Sequence, residues 1–221
     1  MKALLRPALL LVVSSAARVA TAGEPPWELR DTVEGIAVYN RDLPGSPVKE
    51  VKAEGTIDAP PAAVWAVLHD IPAYPRTMPY TKVTAILGHE NDPNAAGGIL
   101  YYYTALAFPI VSDRDYTLRV SIDHVPADGS GLYKLSWRAA NGYPKAPPPL
   151  AHYVRLSDVS GYWQLSPEKG GAATRFVYFV HTNPESSLPG FLVNKANSDV
   201  IPKVVDALRE WAKKPPYAAA K

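Results

Sequence analysis

The run Leu188–Lys213 constrains the fold more than any other stretch. It is the one long helical pattern in a chain otherwise rich in strand patterns. On a 3.6-residue wheel, Asn194, Asn197, Ile201, Val204, Leu208 and Trp211 fall on one stripe, with Val205 at its edge. Lys195, Asp199, Lys203, Asp206 and Glu210 lie largely outside it. Ser186, Ser187 and Pro189 suit its start, and Pro215-Pro216 suits its stop. Two features are unusual for a core helix. Pro202 sits in the interior, where it removes a backbone hydrogen bond and predicts a kink. The apolar stripe begins with two asparagines, and buried amides require partners. The pattern predicts a helix that closes a cavity.

The first 22 residues read as a segment separate from the fold. Lys2 and Arg6 form a basic start, Leu4–Val13 an apolar run, and Ala20-Thr21-Ala22 a small-x-small cleavage pattern before Gly23. This predicts a cleaved secretory signal, hence a periplasmic or extracellular protein. The other reading is an uncleaved anchor, but the run is short for a span of about 20 residues and Arg18 interrupts its far end. Without Lys2, Arg6 and Arg18 the 23 basic side chains fall to 20, against 21 acidic ones. That balance lacks the basic excess of a nucleic-acid binder. There is no cysteine, so disulfides, zinc-thiolate sites and cysteine nucleophiles are excluded. The expected division is residues 1–22 as signal, 23–213 as one domain and 214–221 as a tail.

Along the chain, Trp27–Val33, Gly35–Arg41 and Val48–Ile57 read as strands, the last with Val51, Ala53 and Gly55 on one face. Asp58 is placed to cap a short helix that buries Val64, Trp65 and Leu68 and ends near Ile71-Pro72. Val83–Gly88, Ile99–Ala107, Arg114–Asp123, Gly131–Ala139, Tyr153–Pro167 and Thr174–Thr182 read as an antiparallel meander. Ala140–Leu150 carries four prolines, which predicts a semi-rigid flap. Strands, a helix, many strands and one long helix indicate an α+β domain.

Four segments in this order resemble the START lipid-transfer domain: Ile57–Trp65, Pro109–Tyr116, Gly161–Leu165 and Leu188–Asn194. The chain looks like a bacterial-type member within the helix-grip (Bet v 1-like) superfamily, and the likeness covers nearly all of Trp27–Lys213. It implies a curved antiparallel sheet wrapped around a long C-terminal helix, with an internal ligand cavity. It implies non-catalytic binding or transfer of one lipid, no cofactor and no metal. It also places Ala140–Leu150, with the last helix, at the cavity mouth. One departure stands out. Animal sterol carriers of the family place a carboxylate and an arginine deep in the cavity. An ungapped alignment puts Tyr101 and Val120 at those positions, so a deep ion pair is not expected. A one-residue slip would bring Arg119 there instead.

The candidate cavity or mouth residues are Tyr101, Tyr103, Val120, Trp137, Tyr143, Leu150, Trp163, Tyr178, His181, Leu188, Phe191, Asn194, Asn197 and Ile201. Tyr101 and Tyr103 share a strand face, and tyrosine suits an amphipathic wall. Trp137, Trp163 and Tyr178 either wall a pocket or simply fill a sheet–helix interface. His181 ends the last strand, just before the closing helix. Asn194 and Asn197 meet either ligand or neighbouring loops. Leu188, Phe191, Tyr143 and Leu150 would form an apolar rim for membrane contact. Arg114 and Asp115 read as a structural ion pair or turn-fixing pair. The five histidines show no metal spacing, and there is no nucleophile elbow. On this division Leu188–Ile201 is gate and polar lining, and Val204–Trp211 is anchor.

These patterns predict an exported, monomeric, non-enzymatic lipid carrier that holds a sterol, phospholipid or fatty acyl ligand and touches membranes transiently. The alternative is a helix-grip cyclase or aromatase acting on a polyketide-like substrate. A third possibility is a closed interaction domain without a ligand.

Overall fold

The structure, a computed structural model, describes residues 24–46, 48–108, 112–127, 131–185 and 190–220, with backbone alone for 190–199. The expected signal segment therefore lies outside the described residues, as do Leu188 and the side chains of Phe191, Asn194 and Asn197. The strands are β1 (Glu28–Val33), β2 (Ile36–Arg41), β3 (Glu50–Ile57), β4 (Thr81–Glu90), β5 (Ile99–Leu106), β6 (Arg114–His124), β7 (Tyr133–Ala139), β8 (Val154–Arg155), β9 (Val159–Glu168) and β10 (Ala173–Thr182). The α-helices are α1 (Pro61–His69), α2 (Tyr74–Thr77) and α3 (Gly190–Trp211). Among the described residues the strands form one sheet in the order β1-β2-β3-β10-β9-β7-β6-β5-β4, and β8 pairs in parallel with β6. Every other pairing is antiparallel. This is the expected α+β helix-grip arrangement.

Alternation sets the inner face. On β3, Val51, Ala53, Gly55 and Ile57 are buried while Lys52, Glu54 and Thr56 are partly exposed. Gly55 allows a close approach: a Cβ there would lie 3.0 Å from the Phe176 ring and 3.1 Å from the Gly35 carbonyl, a tight fit that the ring would have to relieve. Helix α1 starts on Pro61 with Pro60 as its N-cap. Asp58 does not cap it: that side chain is exposed, and its neighbour is Lys169 at 3.5 Å. The expected strand Tyr153–Pro167 divides into β8 and β9. The Leu156 N–H donates to the Asp115 carbonyl and the Asn141 side-chain amide donates to the Leu156 carbonyl, so the chain is held to β6 before it turns into β9.

Helix α3 runs through Pro202 and closes the inner face. Its buried line is Ile201, Val205 and Leu208, continued by Ala212 just beyond the helix. Val205 is thus central to the stripe, whereas Trp211 is half-buried. Ile201 already belongs to the core, so the anchor begins one turn earlier than expected. The segment after Pro215-Pro216 is also part of the fold. Tyr217 is buried, and its hydroxyl donates to Asp70 at the end of α1 over 2.8 Å.

Candidate ligand-binding cavity

A cavity of about 310 Å³ lies between the sheet and α3. Strands β5, β6, β7, β9 and β10 contribute residues from their inner faces. Leu100, Tyr102, Thr104 and Leu106 come from β5, and Arg114, Tyr116, Leu118, Val120 and Ile122 from β6. Leu135 and Trp137 follow from β7, Trp163 from β9, and Tyr178, Val180 and Thr182 from β10. Val200, Ile201 and Val204 of α3 form the roof, and Leu68 to Thr81 supply one side wall through Leu68, His69, Ile71, Tyr74 and Met78–Thr81. At the end where β10 runs out, Pro79, Tyr80, Phe108, Leu156 and Pro184 surround the space. Tyr80 and Phe108 rings meet there at 5.0 Å, and Lys203 of α3 donates to the Tyr80 hydroxyl over 2.6 Å.

The lining is mostly hydrocarbon and aromatic. Trp163 stacks on Tyr178 with centroids 4.1 Å apart, and Trp137 leans on Tyr178 at 6.0 Å. Trp137 can sit so low because Gly161 is opposite it: a Cβ at that position would strike the Trp137 ring and the Phe179 carbonyl.

The polar groups are few. Tyr74 donates to the Leu68 carbonyl over 2.5 Å. The hydroxyls of Tyr102, Tyr116 and Tyr178 have no hydrogen-bond partner among the described residues. Burial raises their pKa values, that of Tyr116 to about 12, and the neighbouring tyrosines add to this for Tyr102 and Tyr178. All three stay neutral donors. His69 contacts the Pro93 carbonyl over 2.8 Å and stacks on Trp65. Arg114 is buried at the cavity end of β6, where one Nη donates to the Ser112 carbonyl. Burial lowers its pKa, with Asp113 opposing. No carboxylate lines the cavity among the described residues.

Of the residues singled out by sequence, Val120, Trp137, Trp163, Tyr178 and Ile201 line this space. Tyr101 and Tyr103 do share a face, but it is the opposite one. Tyr101 donates to Glu90 over 2.9 Å and stacks on Tyr143, and Tyr103 donates to Asp115 over 3.1 Å. Register explains the correction. Tyr101 is paired with Arg119, and Val120 with Leu100. Directly paired residues share a face, so Tyr101 and Val120 cannot both point inward. Arg119 likewise faces away, onto the Ser121 hydroxyl at 2.5 Å.

Tyr143 and Leu150 are also outside the cavity. The proline-rich loop is fastened to the outer face of β4–β6, not to the mouth. Asp115 holds it, accepting from Arg155 Nε at 2.8 Å and Nη2 at 2.9 Å and from the Leu150 N–H at 3.3 Å. Arg155 also donates to the Pro147 carbonyl, and Asn141 accepts from the Thr117 N–H over 2.8 Å. Burial works against the Asp115 charge, but the bonds from Arg155, the Leu150 amide and Tyr103 outweigh it and hold its pKa below the ordinary value. Asp115 therefore pairs with Arg155 and not with Arg114, which as the adjacent strand residue points to the other side. His181 is turned away from the cavity as well, with Nε2 3.2 Å from Asp158. The sequence reading missed Arg114, Tyr102, Tyr116 and Thr104 as lining residues.

A family model described as START domain matches residues 14–216. No curated protein matches the chain in sequence. Among solved structures, the STAR-related lipid transfer protein from Xanthomonas axonopodis is 26% identical with a TM-score of 0.71, over 85% of this chain and 99% of that one. Human StAR-related lipid transfer protein 5 is 18% identical with a TM-score of 0.68, over 89% of each chain. The Zhui aromatase/cyclase from Streptomyces sp. R1128 is 18% identical with a TM-score of 0.50, over 74% of this chain and 93% of that one. The last two likenesses are of fold. Since the family model matches residues 14–216, nearly the whole chain, this chain belongs to the START domain family.

Proposed function

We propose that this protein binds one lipid in the cavity beneath α3 and carries it between membranes, without catalysing a reaction on it. The observation that carries this reading is the cavity itself: about 310 Å³, walled by hydrocarbon and aromatic side chains, with scattered hydroxyls, one imidazole and one guanidinium among the described residues. Family membership and the likeness to the STAR-related lipid transfer protein from Xanthomonas axonopodis support the same role. Apolar burial contributes about 25 cal/mol per Å2, so covering roughly 300 Å2 of lipid gives about 7 kcal/mol before association costs. Catalysis of the cyclase kind calls for a convergent acid/base pair. The imidazole of His69 is instead engaged with the Pro93 carbonyl and the Trp65 ring.

Entry lies at the end bounded by Tyr80, Phe108, Pro184 and the first turns of α3, and Tyr80 and Phe108 are the apolar groups that meet a membrane there. The basic start, apolar run and Ala20-Thr21-Ala22 pattern support export, and the carrier acts as a monomer. The test is native mass spectrometry of protein purified from a lipid-containing extract, followed by transfer of a labelled lipid between vesicles. A lipid adduct and transfer are expected. Absence of any adduct, with no binding of sterols, phospholipids or fatty acids, would sink the reading.

A further inference from the structure

Arg114 is a buried cation facing a cavity in which no described residue places a carboxylate. It is 5% exposed and lines the space at the end of β6. Of the five N–H groups of its fork, the one bond to protein among the described residues goes to the Ser112 carbonyl. Both flanking carboxylates hydrogen-bond elsewhere, and Asp113 acts on Arg114 through its charge alone. Asp113 takes Lys82 at 2.9 Å, and Asp115 takes Arg155 on the opposite face of the sheet. A buried charge left in this state is costly unless an anion meets it.

The surroundings indicate what kind of anion fits. Tyr116, two residues further along the same face, presents a hydroxyl with no described partner. Beyond it the lining becomes apolar through Leu118, Val120 and Ile122. From Arg114 to Ile122 the strand rises about 26 Å. Ile122 pairs with Leu135, which pairs with Trp163, so the tryptophan wall lies at the far end from Arg114. The volume of about 310 Å³ is at the lower end for small-molecule sites, which suits one chain better than two.

We propose that Arg114, assisted by the Tyr116 hydroxyl, is the head-group anchor of this cavity, and that the ligand is a single-chain amphiphile whose carboxylate or phosphate oxygens meet the guanidinium while its tail runs toward Trp137 and Trp163. This rests on the lipid-binding reading and specifies it.

The probes are dodecanoic acid brominated at its terminal carbon, the equally brominated dodecanol, and the acid brominated beside the carboxyl. The readout is quenching of tryptophan emission. Wild type should bind the acid roughly tenfold to a hundredfold more tightly than the alcohol, the range of charge-assisted hydrogen bonds. Terminal bromine should quench strongly, and bromine beside the carboxyl weakly. Arg114→Gln should bring the acid down to about the alcohol's affinity, and its circular dichroism and melting temperature report whether the domain is folded. Arg114→Lys should keep most of the preference. Dodecyl phosphate should compete with the acid.

Equal affinities for acid and alcohol in wild type, or a preference that survives in Arg114→Gln, overturns the proposal while leaving lipid binding intact. Displacement of the acid by acetate or inorganic phosphate at similar concentration would assign Arg114 to a free anion and overturn it too. Failure of every probe to bind overturns the lipid-binding reading itself. If Arg114→Gln does not fold, the wild-type preference, the position of the quenching bromine and Arg114→Lys still decide.

Discussion

Tyr101 and Tyr143 lie face to face, with ring centroids 4.0 Å apart and planes 10° from parallel. The contact joins the proline-rich loop to the side of the sheet away from the cavity. Replacing Tyr143 with alanine removes an aromatic pair worth about 0.5–1.5 kcal/mol beyond its area. The melting temperature should fall by roughly 2–6 °C for a chain of this size. Lipid affinity should stay within about twofold. A large loss of affinity would show that the loop reaches the ligand after all.

Asp115 makes the same loop sensitive to acid. Its folded-state pKa is lowered, so its contribution to stability is fully present above the ordinary aspartate value near 4 and is lost as pH falls through the depressed folded value. Wild type should therefore lose stability below about pH 4, seen by denaturant titration across pH. Asp115→Asn leaves the Arg155 guanidinium without its partner, at a cost of about 3 kcal/mol at neutral pH. It should also flatten the acid limb. An unchanged acid limb in that variant would place the pH dependence on other carboxylates.

How much of this was legible beforehand follows from period and register. The helix was legible because its apolar stripe is long, and Val51, Ala53 and Gly55 were legible because water lies on their other side. On β5 both faces are apolar or tyrosine, so hydrophobicity could not choose between Tyr101/Tyr103 and Tyr102/Thr104; the pairing of Tyr101 with Arg119 decides it. Arg114 was within reach: the alternation that places Val120 inward also places Arg114, Tyr116, Leu118 and Ile122 inward. It was read instead as a partner for Asp115, which one residue along a strand cannot be. Where the proline loop docks was not legible, because the bonds that fix it come from Asp115, Arg155 and Asn141, residues distant in sequence from one another.

At the rim of the cavity Lys203 of α3 donates an exposed hydrogen bond to the Tyr80 hydroxyl and lies 5.2 Å from the centre of its ring. Such bonds are weak, about 0.5–1 kcal/mol. Tyr80→Phe keeps the ring against Phe108 and removes the bond. Lipid transfer between vesicles should accelerate about two- to fivefold with little change in melting temperature, the rate factor following from that energy. Slower transfer would mean that opening occurs elsewhere.

Leu208 and Val205 are fully buried at the inner end of α3. Leu208→Ala should cost about 2–5 kcal/mol in chemical denaturation. Aspartate at either position should unfold the domain, because an unpaired charge would have no partner in that core. A folded Leu208→Asp variant would show that α3 is not the anchor it looks to be.

Four of the five cavity tyrosines, Tyr74, Tyr102, Tyr116 and Tyr178, separate structural from ligand-directed hydroxyls. Tyr74 donates to the Leu68 carbonyl, so Tyr74→Phe leaves a buried acceptor short of its bond and should destabilise by about 1 kcal/mol. Tyr102, Tyr116 and Tyr178 have no such partner among the described residues. Removing their hydroxyls takes nothing from the bonding among the described residues, so each Phe variant should be as stable as wild type or slightly more so. The loss should appear in binding: amphiphiles with a polar group should weaken relative to pure hydrocarbons of the same length. Thermal unfolding of all four variants, with and without bound lipid, measures both effects at once. If Tyr102→Phe, Tyr116→Phe and Tyr178→Phe destabilise the free protein as much as Tyr74→Phe, their hydroxyls are structural, and the polar lining of the cavity has no part in choosing its ligand.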